Sequence, residues 1–150
     1  MPVIRWSSFL ALVVFGVACS DSTATLTAGY TYAAAKAACG PADGPAVTIY
    51  LSPYPVEVQS PPPPFISIFI NQAVDQIGGK TWTIGTSTDA AAIYQLTADS
   101  LQSATAGTVV TSSVSADKTI DGTVDIKFPS ARIIGPFHAA WISSSAPPCV

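Results

Sequence analysis

The sequence has little charge and few of the residues from which most enzyme sites are built. Only 10% of its 150 residues are charged, histidine occurs once, as His138, and glutamate occurs once, as Glu57. It has no G-x-S-x-G, P-loop or G-x-G-x-x-G motif, and one glutamate excludes a paired-glutamate glycosidase site. One histidine also falls short of the usual zinc ligand sets. We therefore expect a non-enzymatic chain without metal or cofactor.

The N-terminus has the order of an export signal. A single basic residue, Arg5, precedes an uncharged apolar stretch from Trp6 to Phe15, and small residues follow as far as Cys19. The apolar stretch is shorter than the roughly 20 residues that a permanent membrane-spanning helix needs. We therefore expect residues 1–18 to be a signal peptide that is removed before Cys19.

The segment Gly16-Val17-Ala18-Cys19 is similar to the lipobox of bacterial lipoproteins, with glycine where that family usually has leucine. The resemblance implies that Cys19 becomes the first residue of the mature chain and carries acyl chains such as palmitate. Gly16-x-Ala18 also suits ordinary signal peptidase, which would cut the same bond and release a secreted protein. We therefore expect the protein in the cell envelope, held to a membrane by its lipid anchor, and Ser20 favours the outer membrane. Secretion is the alternative.

Cysteine usage agrees with export. The sequence has three cysteines, and lipidation of Cys19 leaves Cys39 and Cys149 as a pair in an oxidising compartment. We therefore predict a disulfide between them, across 149 − 39 = 110 positions. Two separate buried thiols are the alternative.

Basic residues are scarce in the mature chain. Without Arg5, five lysine and arginine residues face nine acidic ones, a formal charge of 5 − 9 = −4. Nucleic-acid binding depends on lysine and arginine contacts to phosphates, so this balance argues against a nucleic-acid partner and against electrostatic attachment to anionic lipid.

The mature chain is long enough for one domain. Residues 19–28 are expected to be the lipidated cysteine and a flexible tether, and residues 29–150 the domain. Short runs rich in valine, isoleucine, threonine and aromatic residues alternate there with turn-forming residues, which predicts an all-β fold, specifically an antiparallel β-sandwich of about seven to eight strands. The predicted strands are 46–51, 65–70, 81–84, 92–97, 107–115, 119–128 and 132–142. The alanine-rich run 33–38 fits either a short helix or an extended segment.

The last three runs predict an antiparallel three-stranded meander. Apolar residues and glycine alternate with polar residues along 119–128, and 133–141 has the same period of two. A four-residue turn at 129–132 pairs Val124 with Phe137, and a turn at 116–118 pairs Val114 with Ile120 and Val110 with Val124. This register places the side chain of His138 on the outer face, beside Thr123.

The string Gly122-Thr-Val-Asp-Ile-Lys-Phe128, followed by Gly135-Pro-Phe-His-Ala-Ala-Trp141 and a cysteine near the C-terminus, resembles the closing hairpin of small bacterial lipoproteins of unknown function. The resemblance implies an all-β domain closed by a disulfide. It implies no activity.

The remaining motifs favour solvated side chains over chemistry. Ser115-x-x-Lys118 has the spacing of penicillin-recognising enzymes but lies in a predicted hairpin, without the accompanying motifs. Asp117, Asp121 and Asp125 recur every four residues but lack the alternate ligands and closing glutamate of a calcium loop.

Aromatic residues give the sequence some binding potential. Trp82 and Trp141 are expected in the core, and Tyr50 and Tyr54 are expected to be an exposed pair. The leading hypothesis is a lipid-anchored structural or interaction module, with the membrane and an envelope protein or glycan as partners. A glycan- or peptide-binding module that uses Tyr50 and Tyr54 is the alternative, and an enzyme with a fold-assembled aspartate site is a third hypothesis.

Overall fold

The computed structural model describes residues 24–25, 29–40, 43–57, 60–85, 88–115, 119–143 and 149, and its regular structure is almost entirely β. A 3-10 helix, Val74–Gln76, precedes β5. The strands are β1 (Ala24–Thr25), β2 (Tyr32–Cys39), β3 (Pro45–Ser52), β4 (Phe65–Ile70), β5 (Lys80–Ile84), β6 (Ala90–Thr97), β7 (Ser100–Ser103), β8 (Ala106–Val114), β9 (Thr119–Lys127) and β10 (Ala131–Ser143).

These strands form one curled, mixed sheet with the shape of a half-barrel. Their order is β5-β8-β9-β10-β2-β3-β4-β6-β7, and β1 pairs with the beginning of β10. β10 is parallel to β1 and β2, whereas the other neighbouring pairs are antiparallel. The all-β prediction is confirmed, but the described strands do not divide into the two antiparallel layers of the expected sandwich. The reason is β10: its 13 residues pair with β9 on one side and with β1 and β2 on the other, which keeps the sheet continuous.

All seven predicted strands are present, and the structure adds three. The alanine-rich run is extended, because β2 pairs with β3 along its whole length. Neither β7, a short polar edge strand, nor the two-residue β1 has a run of apolar or β-branched residues that would predict it.

The predicted meander of β8, β9 and β10 is confirmed, but the predicted register between β9 and β10 is wrong. The β9–β10 turn has two residues, Pro129 and Ser130, and is closed by the Phe128 N–H, which donates to the Ala131 carbonyl oxygen at 2.7 Å. Phe137 therefore pairs with Gly122 and not with Val124. The predicted pairing is wrong by two positions, an even shift that keeps the same side chains on the inner face.

The β8–β9 register is predicted correctly only at one end. Val114 pairs with Ile120 as expected, but the ladder shifts between Thr111 and Ser113. Such an extra residue is a β-bulge, and it reverses which side chains face inward beyond it. Val109, not Val110, consequently pairs with Val124, and Val109 is fully buried.

The inner face of the sheet holds a single apolar core. Its largest fully buried hydrophobic side chains come from both halves of the strand order: Phe128, Ile49, Ile66, Ile68, Ile70, Ile77, Ile120 and Ile126. Trp82 is buried as predicted, and Trp141 is partly buried against the core. The Trp82 indole N–H donates to Thr111 Oγ1 at 3.1 Å, so the polar atom of this buried ring is satisfied.

The curl brings the two ends of the strand order close together. Between β7 and β8, the Ala104 N–H donates to the Ala92 carbonyl oxygen on β6 at 2.9 Å, and the Thr105 N–H donates to the Lys127 carbonyl oxygen on β9 at 2.8 Å. Nearby, Tyr94 of β6 packs against Phe128, with ring centroids 5.5 Å apart. These contacts join β6 and the β7–β8 connection to the end of β9 and to Phe128, which begins the β9–β10 turn.

Candidate functional site

Cys39 and Cys149 form the predicted disulfide, with their Cα atoms 5.6 Å apart. Cys39 is the last residue of β2, and Cys149 Sγ lies 3.8 Å from the carbonyl oxygen of Gly44, just before β3. The bridge therefore fastens the C-terminal part of the chain to the β2–β3 connection.

Cys19 and the predicted signal peptide lie outside the described residues. Of the predicted tether, Ala24 and Thr25 are described, and they pair with Ala131 and Arg132 as strand β1. The described part of the chain contains no helix that is long and apolar enough to span a membrane.

Tyr50 is buried, contrary to the prediction of an exposed Tyr50–Tyr54 pair. Only 5% of it is accessible. Its ring packs edge-on against Phe65 at 5.9 Å between centroids, and Lys36 Nζ lies 5.3 Å from the ring centroid. Its hydroxyl lies 3.5 Å from Ser60 Oγ in the proline-rich β3–β4 connection. The prediction is wrong because Tyr50, on the outer face of β3, is covered by the side chains of Phe65 and Lys36 and by Ser60 of that connection.

Tyr54 is exposed as predicted, and the structure gives it a different neighbour. Tyr54 is 47% accessible and Tyr32 is 45% accessible. Tyr32 pairs with Ser52, whose hydroxyl accepts a hydrogen bond from the Tyr54 N–H at 3.0 Å. Both exposed tyrosines therefore adjoin Ser52. The sequence could not predict that Tyr32 and Tyr54 both lie beside Ser52, because the alanine-rich run of β2 has no alternation that would indicate its register.

His138 lies on the outer face as predicted, but it faces Asp121 instead of Thr123. His138 Nδ1 is 2.5 Å from Asp121 Oδ1, and the Ser113 hydroxyl donates to Asp121 Oδ2 at 3.2 Å. The hydrogen bond from His138, with a smaller contribution from Ser113, holds the pKa of the Asp121 carboxyl below its ordinary value.

The carboxylate of Asp121 lies between the histidine and the serine, so each of them binds the carboxylate and not the other. Activation of a serine nucleophile requires its hydroxyl beside the base. The side chains of His138 and Asp121 are 67% and 45% accessible. In this geometry the three residues form a solvent-facing hydrogen-bonded cluster. No group of three histidine, cysteine, aspartate or glutamate side chains is placed to hold a metal ion among the residues that the structure describes.

A second charged pair occupies the same outer face. Asp125 accepts two hydrogen bonds from the guanidinium of Arg132, at 2.8 and 2.7 Å. These bonds lower the pKa of the Asp125 carboxyl and raise the pKa of Arg132. Asp121 and Asp125 thus have separate partners at the surface, and Asp117 and Lys118 lie outside the described residues.

No family model, curated protein or solved structure matches the chain.

Proposed function

We propose that the chain is a lipid-anchored protein of the bacterial cell envelope, whose disulfide-closed β domain acts as a non-enzymatic structural or interaction module. The Cys39–Cys149 disulfide is the observation that carries the proposal. Disulfides persist in oxidising compartments and are rare in the cytosol, so the bond supports export.

The same bond supports the role of Cys19. The sequence has three cysteines, and two of them are bonded to each other. The third, Cys19, directly follows the small residues that end the signal-like segment. A thiol at the first position of the mature chain is what lipidation of this kind requires, and acyl chains on Cys19 would hold the domain at a membrane. Ser20 at the second position favours the outer membrane.

The test is a mass measurement and fractionation of the mature protein from bacteria that express the full chain. We expect the protein in the membrane fraction, cleaved before Cys19 and carrying acyl mass. Cys19→Ala should lose the acyl mass and the membrane association, whereas Cys39→Ala should keep both. Cleavage at the same bond without acyl mass would instead identify a secreted protein, and an uncleaved cytosolic protein would refute export.

The second candidate function is a ligand-binding module, which the exposed Tyr32 and Tyr54 favour. Tyrosine rings stack on the apolar faces of sugar rings and also hydrogen-bond through their hydroxyls. Binding on a glycan array that is lost in Tyr54→Ala and kept in Ser115→Ala would support this function. An array without any binding by the folded domain would count against its glycan form.

A further inference from the structure

The disulfide of the folded domain joins two cysteines that are far apart in the sequence, while a third cysteine lies much nearer to one of them. Cys39 is 149 − 39 = 110 positions from Cys149 and 39 − 19 = 20 positions from Cys19. The free energy of closing a loop in an unfolded chain rises with the logarithm of the loop length, with a coefficient of about 3/2 RT. The shorter loop is therefore favoured roughly tenfold, so Cys19 competes well with Cys149 for Cys39 before the chain folds.

Export from the N-terminus adds to this advantage. Cys19 and Cys39 enter the oxidising compartment first, and Cys149 follows 110 positions behind Cys39. A disulfide-bearing oxidant takes two electrons and two protons from a pair of thiols, whose sulfurs become bonded, and is itself reduced to a dithiol. If the sulfur of Cys19 carries a thiol, the first pair that such an oxidant meets is Cys19 and Cys39.

The fold does not accommodate a bond between these two residues. β1 and β2 both lie along β10, where Ala24 pairs with the first residue of β10 and Lys36 with the last. A strand of 13 residues spans roughly 40 Å, and Cys39 lies beyond Lys36. Cys19 precedes Ala24 by five positions and so lies within roughly 18 Å of it. A disulfide needs Cα atoms within about 7 Å, so Cys19 cannot reach Cys39 while β1 and β2 are paired with β10.

The wrong bond would also remove the right one. In the folded domain, Cys149 Sγ lies 3.8 Å from the carbonyl oxygen of Gly44, and its bond to Cys39 fastens the C-terminal part of the chain to the β2–β3 connection. With Cys39 bonded to Cys19, the sequence holds no other cysteine for Cys149. A single mispairing therefore prevents the closing disulfide and is incompatible with the pairing of β1.

We infer that acylation of Cys19 has a second role: it removes the competing thiol and so directs Cys39 to Cys149. The inference rests on the proposed acylation of Cys19. Transfer of a lipid group from a phospholipid forms a carbon–sulfur bond at Cys19 Sγ and breaks the bond between that group and the headgroup, which leaves with the thiol proton. A sulfur bonded to two carbons has no thiolate form and cannot enter thiol–disulfide exchange. The modification that holds the domain at the membrane thus also selects the disulfide that the fold requires.

The test separates acylation from the cysteine itself. Residues 1–18 are replaced by a signal peptide that lacks a lipobox and is removed by ordinary signal peptidase, in one chain that keeps Cys19 and in a matched chain with Cys19→Ser. Newly exported protein is alkylated with N-ethylmaleimide, and its disulfides are identified by peptide mass mapping. We expect Cys19–Cys39 bonds and alkylated Cys149 in the chain that keeps Cys19. The Cys19→Ser chain and the acylated parent should contain Cys39–Cys149.

A second measurement gives the size of the competition. The reduced mature chain with unmodified Cys19 is oxidised by glutathione disulfide in urea, and samples are alkylated at early times. The Cys19–Cys39 bond should exceed the Cys39–Cys149 bond roughly tenfold. The Cys19→Ser chain under the same conditions gives the rate at which Cys39 and Cys149 pair without a competitor. Because mass mapping identifies the bonds directly, neither measurement requires a variant to fold.

Three outcomes would overturn the inference, and they differ in what they say about the anchor. If the exported chain with unacylated Cys19 forms Cys39–Cys149 as completely as the Cys19→Ser chain, Cys19 does not compete and the anchor is unaffected. Equal amounts of the two bonds in urea likewise remove the competition and leave the anchor intact. A parent protein without acyl mass removes the anchor, and the directing role of acylation falls with it.

Discussion

The outer faces of two regions of the sheet differ although both consist of neighbouring antiparallel strands. On β8, β9 and β10 the outer face is polar and open, with Asp121 bound to His138 and Asp125 bound to Arg132. On β3 the corresponding face is buried, so that this strand is buried on both faces from Ala46 to Ser52.

The difference shows that the polarity of the side chains on a β face depends on whether solvent or other protein groups contact that face. On the meander, solvent contacts one face, so the sequence alternates between apolar and polar residues. On β3 both sides are buried, and the side chains that face outward include Tyr50 and Thr48. The ring of Tyr50 packs against Phe65, and its hydroxyl lies beside the hydroxyl of Ser60. The outer face of β3 is thus covered at Tyr50 by neighbouring side chains and by Ser60 of the β3–β4 connection, whereas the outer face of the meander contacts solvent.

Breaking the disulfide should have the largest effect, because the bond ties β2 to the end of the chain beyond β10. In the chain-entropy model, closing a loop of 110 positions is worth about 4–5 kcal/mol. We expect the double variant Cys39→Ser/Cys149→Ser to lose about that much in the free energy of unfolding, measured by urea denaturation. The parent protein unfolded under reducing conditions is the control and should match the variant. A loss below about 1 kcal/mol would show that the packing of the sheet already restrains these segments.

Truncating one residue on each outer face compares the two regions directly. Tyr50→Ala removes a buried aromatic side chain and should destabilise the domain by about 3 kcal/mol. His138→Ala removes a solvent-facing side chain on the open face and should change stability by no more than about 0.5 kcal/mol. The measurement is chemical denaturation of both variants beside the parent. Equal losses for the two variants would contradict the distinction between a covered and an open face.

The smallest expected effect is a loss of folding stability at acidic pH that comes from the carboxyls on the outer face of the meander. The folded pKa values of Asp121 and Asp125 lie below the ordinary value of 3.8, so their ionised forms stabilise the folded state above that pH. This stabilisation is lost as the pH falls through the folded pKa values. We expect Asp121→Asn and Asp125→Asn each to lose less stability than the parent between neutral pH and about pH 2.

Thr123→Ala is the matched control for this acid effect, because Thr123 lies on the same face, is exposed and carries no carboxyl. It should keep the acid dependence of the parent. If both asparagine variants also keep the full acid dependence, the two pairs do not stabilise the fold.

The accuracy of the sequence predictions follows the same division. The strands of the meander and the inward faces of β9 and β10 could be predicted because alternation marks them. The β9–β10 register was wrong by two positions because an even shift leaves the alternation unchanged. The bulge near Ser112 could not be predicted, since no local pattern requires the extra residue. Of the predicted tyrosine pair, Tyr54 was placed correctly and Tyr50 was not, because its burial depends on contacts with residues on other segments.

By itself the sequence determined the β-rich composition, the seven strands marked by runs rich in valine, isoleucine, threonine and aromatic residues, and the pairing of Cys39 with Cys149, because each depends on local composition or on the number of cysteines. Only the tertiary structure decided that these strands form one curled sheet, since the double pairing of β10 is a long-range choice. It also decided which aromatic side chains remain exposed. Tyr32, Tyr54 and Leu101 are far apart in the sequence, and only the pairing of β2, β3, β4, β6 and β7 brings them to the same strand ends.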